Sequence, residues 1–249
     1  MQAVRAHRSA LAGRGGEVVK RDVKTNVTLI EWDSSLGAGR LCVKEFVRAG
    51  PHCLLPRWIR HRPAIVSWRG ASRLAALGIG RPDTLGLVIG KGASSYLIMR
   101  ALEGFESLAQ YVRGALGPAA TTERRRAFLR AGADFLGRCC SSRVLHRDLK
   151  ASNLFVRETE GGGWEFSLLD LAAVRFPRRI RFEDRLLNLA QLNSSVPLEI
   201  TWTDRMRFLR QLAEREPFDA AHGGPSLADR SAMAEIARLT RSRRCVWSR

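Results

Sequence analysis

The spacing of apolar residues changes after about one hundred residues. Before that point, short apolar runs separated by turn residues predict about five strands, and one stretch with helical spacing, residues 62–82, predicts a single helix among them. From Ala101 onward most segments have helical spacing, with one hairpin predicted between them. The pattern therefore predicts an α+β fold. The predicted strands cover residues 17–20, 27–32, 40–46, 84–90 and 94–100.

These patterns divide the chain into three parts. Residues 1–14 have no clear periodicity and are predicted to form a flexible tail. Residues 15–100 are expected to form an N-terminal domain with an antiparallel sheet and one helix. Residues 101–249 are expected to form a mainly helical C-terminal domain. Neither an internal repeat nor a low-complexity segment interrupts this division.

Composition excludes several classes of protein. Hydrophobic residues make up 45% of the chain and charged residues 27%, as in globular proteins, and no run of about 18 apolar residues predicts a membrane span. Five cysteines without C-x-x-C spacing favour a reducing cytoplasm, and the first residues lack the apolar core of a signal peptide. Arginine dominates the net charge of +18, since only five basic residues are lysines. Either a coding bias that favours arginine or a surface that binds anions would explain this excess of arginine.

The segment "LHRDLKASNLFV", residues 145–156, carries the clearest chemical pattern. It follows a predicted helix and precedes a predicted strand, and it contains the H-R-D-L…N sequence of a kinase catalytic loop. In that chemistry Asp148 orients the acceptor hydroxyl and takes its proton, and Lys150 faces the migrating phosphoryl group. Asn153 offers a neutral oxygen to Mg²⁺. His146 is expected to pack and to hydrogen-bond the loop.

Two further residues complete the set that phosphoryl transfer requires. Asp170 in "SLLDLA" ends an apolar strand 17 residues after Asn153 and offers Mg²⁺ a carboxylate ligand. Lys44 lies mid-strand in "LCVKEF", where a kinase lysine binds the α and β phosphates of ATP. Kinases usually have D-F-G at the position of Asp170, but this chain has D-L-A. The missing glycine argues against a regulatory flip of this segment.

Two other departures from the kinase pattern concern the N-terminal domain. No acidic residue occurs between Glu45 and Asp83, so the helix glutamate that usually pairs with the strand lysine is missing, with Ser67 near its expected position. Lys44 is therefore expected to pair with Asp170 or with nucleotide alone, and a pseudokinase is an alternative. A glycine-rich phosphate loop is also missing. The backbone near Lys24 is the remaining candidate for phosphate contact.

The segments "VKEF", "LHRDLKASNLFV", "SLLDLAAVRF", "RLLNLAQLNSS" and "TDRMRFLRQL" together resemble the lipopolysaccharide kinase family, the heptose and Kdo kinases of the bacterial envelope core. The resemblance implies a two-lobed protein-kinase-like fold, in which residues 15–100 form the nucleotide-binding lobe and residues 101–249 the catalytic lobe. It also implies that ATP and Mg²⁺ are used to phosphorylate a sugar hydroxyl on a lipid-anchored core oligosaccharide. The matching positions are Lys44, Asp148, Asn153 and Asp170.

The same resemblance implies two further features. Backbone groups near Arg100 and Leu102 would contact adenine, and Asn188 replaces an aspartate that often braces the catalytic loop in this family. After Asp170 the chain has no A-P-E sequence and little room for a peptide substrate. Its four arginines form either a solvated basic loop or a site for an anionic saccharide. These arginines are Arg175, Arg178, Arg179 and Arg181.

The sequence thus predicts a cytoplasmic kinase, with possible peripheral contact at the inner membrane, acting on an anionic saccharide or glycolipid. A protein or small-molecule kinase of the same fold, or a nucleotide-binding pseudokinase, is the alternative. A nucleic-acid binder rests on the net charge alone, and no nucleic-acid motif supports it. The sequence specifies neither the acceptor sugar nor the oligomeric state.

Overall fold

A computed structural model describes residues 1–33, 38–47, 61–90, 94–117, 119–215 and 225–243. The chain forms two compact units. The first contains residues 1–103 together with Asp170–Ala172, and the second contains residues 104–169 and 173–249. Two of the five cysteines, Cys53 and Cys245, lie outside the described residues. Across the described part of the chain, no helix is both long and apolar enough to cross a membrane.

The first unit is built on a five-stranded antiparallel sheet with the strand order β1-β2-β3-β5-β4. The predicted strands and the predicted helix are present, and the helix begins with a proline at its first turn. The α+β prediction is therefore confirmed. The elements are α1 (Gln2–Leu11), β1 (Glu17–Arg21), β2 (Thr25–Trp32), β3 (Gly39–Phe46), α2 (Arg62–Ala76), β4 (Thr84–Ile89) and β5 (Ser95–Arg100).

The central strand β3 separates two apolar layers because its side chains alternate between the two faces of the sheet. Leu41 and Val43 pack with residues of α1, whereas Phe46 packs with residues of α2 and β5. Lys44 lies on the same face as Phe46, and Glu45 lies on the opposite face. The strand therefore presents its catalytic candidate on the α2 side and a carboxylate on the α1 side.

Residues 2–11 form a helix rather than the flexible tail that the sequence suggested. Ala3, Val4 and Ala10 pack on the sheet, and the ring of His7 is completely buried there. His7 Nδ1 lies 2.7 Å from Thr28 Oγ1, and His7 Nε2 lies 3.4 Å from Glu45 Oε2. The prediction failed because small residues and one histidine, not large apolar residues, make the contact.

The second unit is mainly helical and contains one short hairpin. Its first two helices have side-chain caps, because Ser107 accepts a hydrogen bond from Gln110 N and Thr121 accepts one from Arg124 N. The elements are β6 (Glu106–Ser107), α3 (Leu108–Ala115), α4 (Thr122–Ser141), β7 (Leu145–His146), β8 (Leu154–Glu158), β9 (Trp164–Leu168), β10 (Val174–Arg175), α5 (Phe182–Ser195), α6 (Trp202–Arg215) and α7 (Arg230–Arg241).

Aromatic packing holds the hairpin of β8 and β9 against α4. The ring centroid of Phe166 on β9 is 5.3 Å from that of Phe135 and 5.8 Å from that of Phe128. Phe128 in turn stacks on Tyr111, with 5.2 Å between their ring centroids. Burial and the hydrogen bond to Glu158 raise the pKa of Tyr111. The chain segment that carries the catalytic-loop motif therefore runs from a packed helix into a packed strand.

Candidate active site

The catalytic loop, residues 147–153, follows a short strand that is held by pairing with another two-residue strand. Strand β7 pairs with β10, and Arg147 N donates a hydrogen bond of 3.1 Å to Ala173 O just beyond that pair. His146 is buried, its Nε2 lies 2.7 Å from Leu169 O, and its Nδ1 accepts a hydrogen bond from Asp148 N. His146 therefore packs and orients the loop, as expected from the sequence.

Three predicted site residues meet inside this loop. Lys150 Nζ lies 2.9 Å from Asp148 Oδ1, and Asn153 Nδ2 donates to Asp148 O at 2.8 Å and to Asp148 Oδ2 at 3.2 Å. The Asp148 side chain is 37% exposed, so its carboxylate can meet a substrate while two donors fix its direction. Because the amide nitrogen of Asn153 is used within the loop, its Oδ1 is the atom that it can offer to a cation.

Helix α5 holds the same loop through three side chains, here named the α5 brace: Asn188, Gln191 and Ser195. Asn188 Nδ2 donates to His146 O at 2.8 Å, and Gln191 Nε2 donates to Arg147 O at 2.9 Å. Gln191 Oε1 accepts from Leu149 N at 2.9 Å, and Ser195 Oγ accepts from Ala151 N at 2.9 Å. Only Asn188 was identified from the sequence. The i, i+3, i+7 spacing of the three residues could have revealed the other two.

Lys44 and Asp170 form an ion pair within the first unit. Lys44 Nζ lies 2.9 Å from Asp170 Oδ1 and 5.1 Å from the centroid of the Phe46 ring. The lysine side chain is 19% exposed and the aspartate 38%. Ser67, near the expected position of the missing glutamate, is buried and donates to Pro63 O at 2.8 Å. Of the two partners expected for Lys44, the structure thus contains Asp170.

The segment that carries Asp170 is fixed without the glycine of D-F-G. Asp170 has a φ of +48°, a left-handed conformation that aspartate tolerates better than most residues. Leu171 behind it is 3% exposed, and Ala172 packs against the apolar layer of α2. A Cβ on Gly70 of α2 would lie 3.3 Å from Leu171 O. Gly70 is therefore a further residue that positions this segment, and a lone glycine within a helical pattern was its only signal in the sequence.

The turn between β1 and β2 does not offer the backbone amides that were considered for phosphate. Asp22 Oδ1 accepts from Lys24 N and from Thr25 N, each at 2.7 Å, and Asp22 Oδ2 lies 2.9 Å from Lys20 Nζ. These donors lower the pKa of Asp22 well below its usual range, with the Lys20 contact as the largest cause. The side chain of Lys24 is exposed and remains the only part of this candidate that can meet a phosphate.

The segment after β5 contains the two residues expected near adenine. Arg100 N donates to Asp83 O at 2.8 Å, and Ala101 N donates to Arg40 O at 2.8 Å. The amide of Arg100 is therefore engaged within the sheet. Leu102 lies in the connection that follows, where the backbone leaves the sheet. Of Arg100 and Leu102, Leu102 is the better candidate for donating its backbone N–H to a ligand, because the N–H of Arg100 is already bonded to Asp83 O.

A mid-strand lysine paired with an aspartate, and an H-R-D-L loop with its own lysine and asparagine, define a phosphotransferase of the protein-kinase-like class. The sequence profile of the Lipopolysaccharide kinase (Kdo/WaaP) family matches residues 67–211, which is more than half of the chain. The chain therefore belongs to this family, and the resemblance drawn from its motifs is confirmed. A comparison with curated protein sequences gives no match.

One solved structure supports the same fold. It is titled "WaaP in complex with acyl carrier protein", and it matches with a TM-score of 0.65 at 20% sequence identity. The match covers 94% of this chain and 91% of the other. At this identity the match establishes the kinase-like fold. Together with the family match, it assigns the chain to the kinases of lipopolysaccharide biosynthesis.

Proposed function

We propose that this protein transfers the γ-phosphate of ATP to a sugar hydroxyl of a lipopolysaccharide core-type acceptor. The observation that carries this proposal is the geometry of Asp148, whose carboxylate is partly exposed and directed by Lys150 and Asn153. A pseudokinase has no need for this arrangement. The Lys44–Asp170 pair supports the same conclusion, because the lysine has a carboxylate partner despite the missing helix glutamate.

Each catalytic candidate has a chemical role that its contacts support. Asp148 accepts the proton of the acceptor hydroxyl and aligns its oxygen with the phosphorus atom. Lys150 Nζ, 2.9 Å from that carboxylate, is exposed by 47% and can move to meet the negative charge of the transferred group. Lys44 binds the α and β phosphates, and the exposed Lys24 side chain adds positive charge for nucleotide. Leu102 and, less directly, Arg100 provide backbone near adenine.

Two residues carry donor atoms of the kind that Mg²⁺ binds, and we propose that they hold it. Asp170 supplies a partly exposed carboxylate, and Asn153 supplies the amide oxygen left after its nitrogen binds Asp148. Hard oxygen donors of this kind are the ligands that Mg²⁺ takes together with substrate phosphates. Within the described residues, no group of three or more histidine, cysteine or acidic side chains is arranged so that it could hold a metal ion. We propose that Mg²⁺ takes its remaining ligands from the phosphates and from water. When bound, Mg²⁺ neutralises phosphate charge.

An anionic acceptor fits the segment that follows Asp170. Residues 171–182 contain no serine, threonine or tyrosine, so phosphorylation of this segment cannot supply an anion to the exposed arginine of the catalytic loop, Arg147. We propose that an anionic acceptor supplies the negative charge instead. Arg178 and Arg179 are exposed, and Arg175 lies on β10 beside the start of the loop. Guanidinium groups bind phosphate and carboxylate in two-point contacts.

This acceptor class also accounts for the location that we propose. The net charge of +18 favours a surface rich in anionic lipid, and a lipid-anchored saccharide would be reached at the cytoplasmic face of the inner membrane. A soluble small-molecule or protein substrate remains the alternative within the same fold. Salt dependence distinguishes them, because a glycolipid presented in anionic vesicles should be phosphorylated more slowly as the salt concentration rises.

The test is transfer of γ-labelled phosphate from ATP to core oligosaccharides and to a generic protein, with Mg²⁺ present or chelated. We expect label on a saccharide with wild-type protein and a loss of about 10³-fold or more with Asp148→Asn. The matched control is Asp33→Asn, because Asp33 is exposed and lies outside the loop. If wild type transfers no label to any acceptor, yet ATP raises its unfolding temperature, the pseudokinase alternative replaces the proposal.

A second proposal concerns a partner. The WaaP of the solved structure is in complex with acyl carrier protein, and we propose that this chain also binds one. An apolar cavity of about 100 Å³ in the second unit supports this, because it offers apolar space for a few methylene groups at the end of an acyl chain. Phe128, Leu189, Trp202, Met206 and Ile236 are among its lining residues. Acylated carrier should raise the unfolding temperature, and equal effects of acylated and unacylated carrier would count against use of the cavity.

A further inference from the structure

Two side chains of the α5 brace act as hydrogen-bond donors to the catalytic loop, whereas a carboxylate in their place could only accept. Asn188 and Gln191 each donate to a backbone carbonyl of the loop, His146 O and Arg147 O, which are consecutive along the chain. A carboxylate has only acceptor atoms and could not make either bond. The loop of this protein therefore turns two carbonyls toward α5, where a negative charge would be unfavourable.

The types of the partner atoms fix the orientation of both amides. His146 O and Arg147 O accept hydrogen bonds only, so the side-chain atoms facing them must be nitrogens. Leu149 N only donates, so the atom of Gln191 that faces it must be an oxygen. Asn188 Nδ2 uses its second hydrogen on Gln191 Oε1 at 3.2 Å. Flipping either amide would bring acceptor against acceptor, so the network has one arrangement.

We infer that Asn188 is a positioning residue whose neutral amide is required, and that aspartate at this position would disorder the loop that carries Asp148. The inference rests on the proposed kinase activity. It reverses the expectation drawn from the family resemblance, which implies that an aspartate often braces the loop from this position. The neutral amide of Asn188 therefore suits the backbone carbonyl that this loop presents to α5, and the missing negative charge does not imply weaker support of the loop.

A carboxylate at position 188 would face two oxygen acceptors, His146 O at 2.8 Å and Gln191 Oε1 at 3.2 Å. The site is 3% exposed, so water cannot relieve the repulsion. Burial and these acceptors favour the protonated carboxyl, which keeps one O–H donor, and therefore raise its pKa. The harm done by the substitution should consequently decrease as the pH falls.

The charged and titratable groups near position 188 lie on the catalytic loop and on α5. On the loop, His146 Nδ1 accepts from Asp148 N, and His146 Nε2 lies 2.7 Å from Leu169 O. The Asp148 carboxylate is negative and bound to Lys150. On α5, the guanidinium of Arg185 is buried, and one of its nitrogens donates to Leu136 O.

The experiment compares Asn188→Asp with Asn188→Leu and with the control Asn193→Asp. Asn193 lies on the same helix, and its Oδ1 accepts from Arg205 Nη1 at 2.7 Å, so a carboxylate there gains a cationic partner. Its Nδ2 donates to Thr240 Oγ1 at 3.0 Å, but this partner is a hydroxyl that can turn its own hydrogen toward a carboxylate, which a backbone carbonyl cannot do. Phosphate transfer and unfolding temperature are measured from pH 6 to pH 8.5. We expect Asn188→Asp to lose about 10- to 100-fold in kcat at pH 8.5 and to recover several-fold at pH 6, whereas Asn193→Asp follows wild type throughout.

Each outcome supports or overturns the inference. Wild-type or higher activity in Asn188→Asp at pH 8.5 overturns it, as does a deficit that does not change with pH. If Asn188→Asp does not fold, the decision rests on Asn188→Leu, which keeps the shape and removes the donor. A loss of about threefold or more supports the inference, and unchanged activity overturns it. If wild type is inactive, the proposed function fails separately, and the pH dependence of the unfolding temperature still decides whether the brace requires a neutral amide.

Discussion

The buried contact between α1 and β3 gives a prediction whose size follows from the structure. Glu45 is 8% exposed, and its carboxylate is bound by His7 and by Asn26 Nδ2 at 2.7 Å. These hydrogen bonds, with His7 as the largest cause, outweigh burial and lower the pKa of Glu45 from 4.5 to about 2. A tenfold change in proton affinity corresponds to about 1.4 kcal/mol, so ionised Glu45 stabilises the folded unit by about 3 kcal/mol at pH 7.

The sign follows from the direction of the change in pKa. Because the folded pKa is the lower one, the stabilisation is present above about pH 4.5 and disappears as the pH falls toward 2. Glu45→Gln removes the charge and keeps the shape of the side chain. We expect this variant to be less stable than wild type by about 3 kcal/mol at pH 7, and by about 1.4 kcal/mol at pH 3.

Amide hydrogen exchange of residues 2–11 measures this difference in stability in helix α1, which carries His7, the partner of Glu45. Three kcal/mol corresponds to exchange on the order of 100-fold faster in Glu45→Gln at pH 7, falling to about tenfold at pH 3. Glu31→Gln is the control, because the Glu31 side chain is 81% exposed and its contact with Arg40 is worth little. Equal exchange in wild type and Glu45→Gln at pH 7, or a ratio that does not change with pH, would refute the reasoning.

Two further predictions concern the segments that support the site. Gly70→Val should reduce phosphate transfer by about tenfold, because the new side chain meets the backbone behind Asp170. Gly114→Ala, on a helix with open space around it, should leave transfer rates unchanged, and equal rates in both variants would argue against a positioning role for Gly70. Arg205→Met should lower the free energy of unfolding in urea by about 3 kcal/mol, because partly buried carbonyls at the end of α5 lose the guanidinium that donates to them. A loss within 1 kcal/mol, as expected for the half-exposed Arg207→Met, would show that those carbonyls find water instead.

The local sequence pattern was sufficient to predict most of the strands and helices and the chemistry of the catalytic loop. The strands of the sheet alternate or are continuously apolar, and the motif around Asp148 has a spacing that occurs in one class of enzyme. Strands β6, β7 and β10 were not predicted, because pairs of two residues carry no periodicity. Their existence depends on which segments meet in the folded chain.

The rest of the site depends on contacts that sequence alone does not specify. Lys44 and Asp170 are 126 residues apart, and the sequence left two partners open for the lysine. The polarity of the α5 brace depends on which backbone atoms the loop turns toward the helix, which is a property of the folded loop. The helix α1 was missed for a similar reason, since His7 is polar in sequence yet buried against Thr28 in the structure.

The fixed Asp170 segment has a consequence for the design of inhibitors. Leu171 is buried, Ala172 packs on the α2 layer, and Gly70 leaves no space behind the segment. Compounds that gain selectivity by trapping a displaced metal-binding aspartate would have to expel these side chains from an apolar layer first. Screening against this enzyme should therefore favour molecules that compete directly with the nucleotide or the sugar that we propose as substrates.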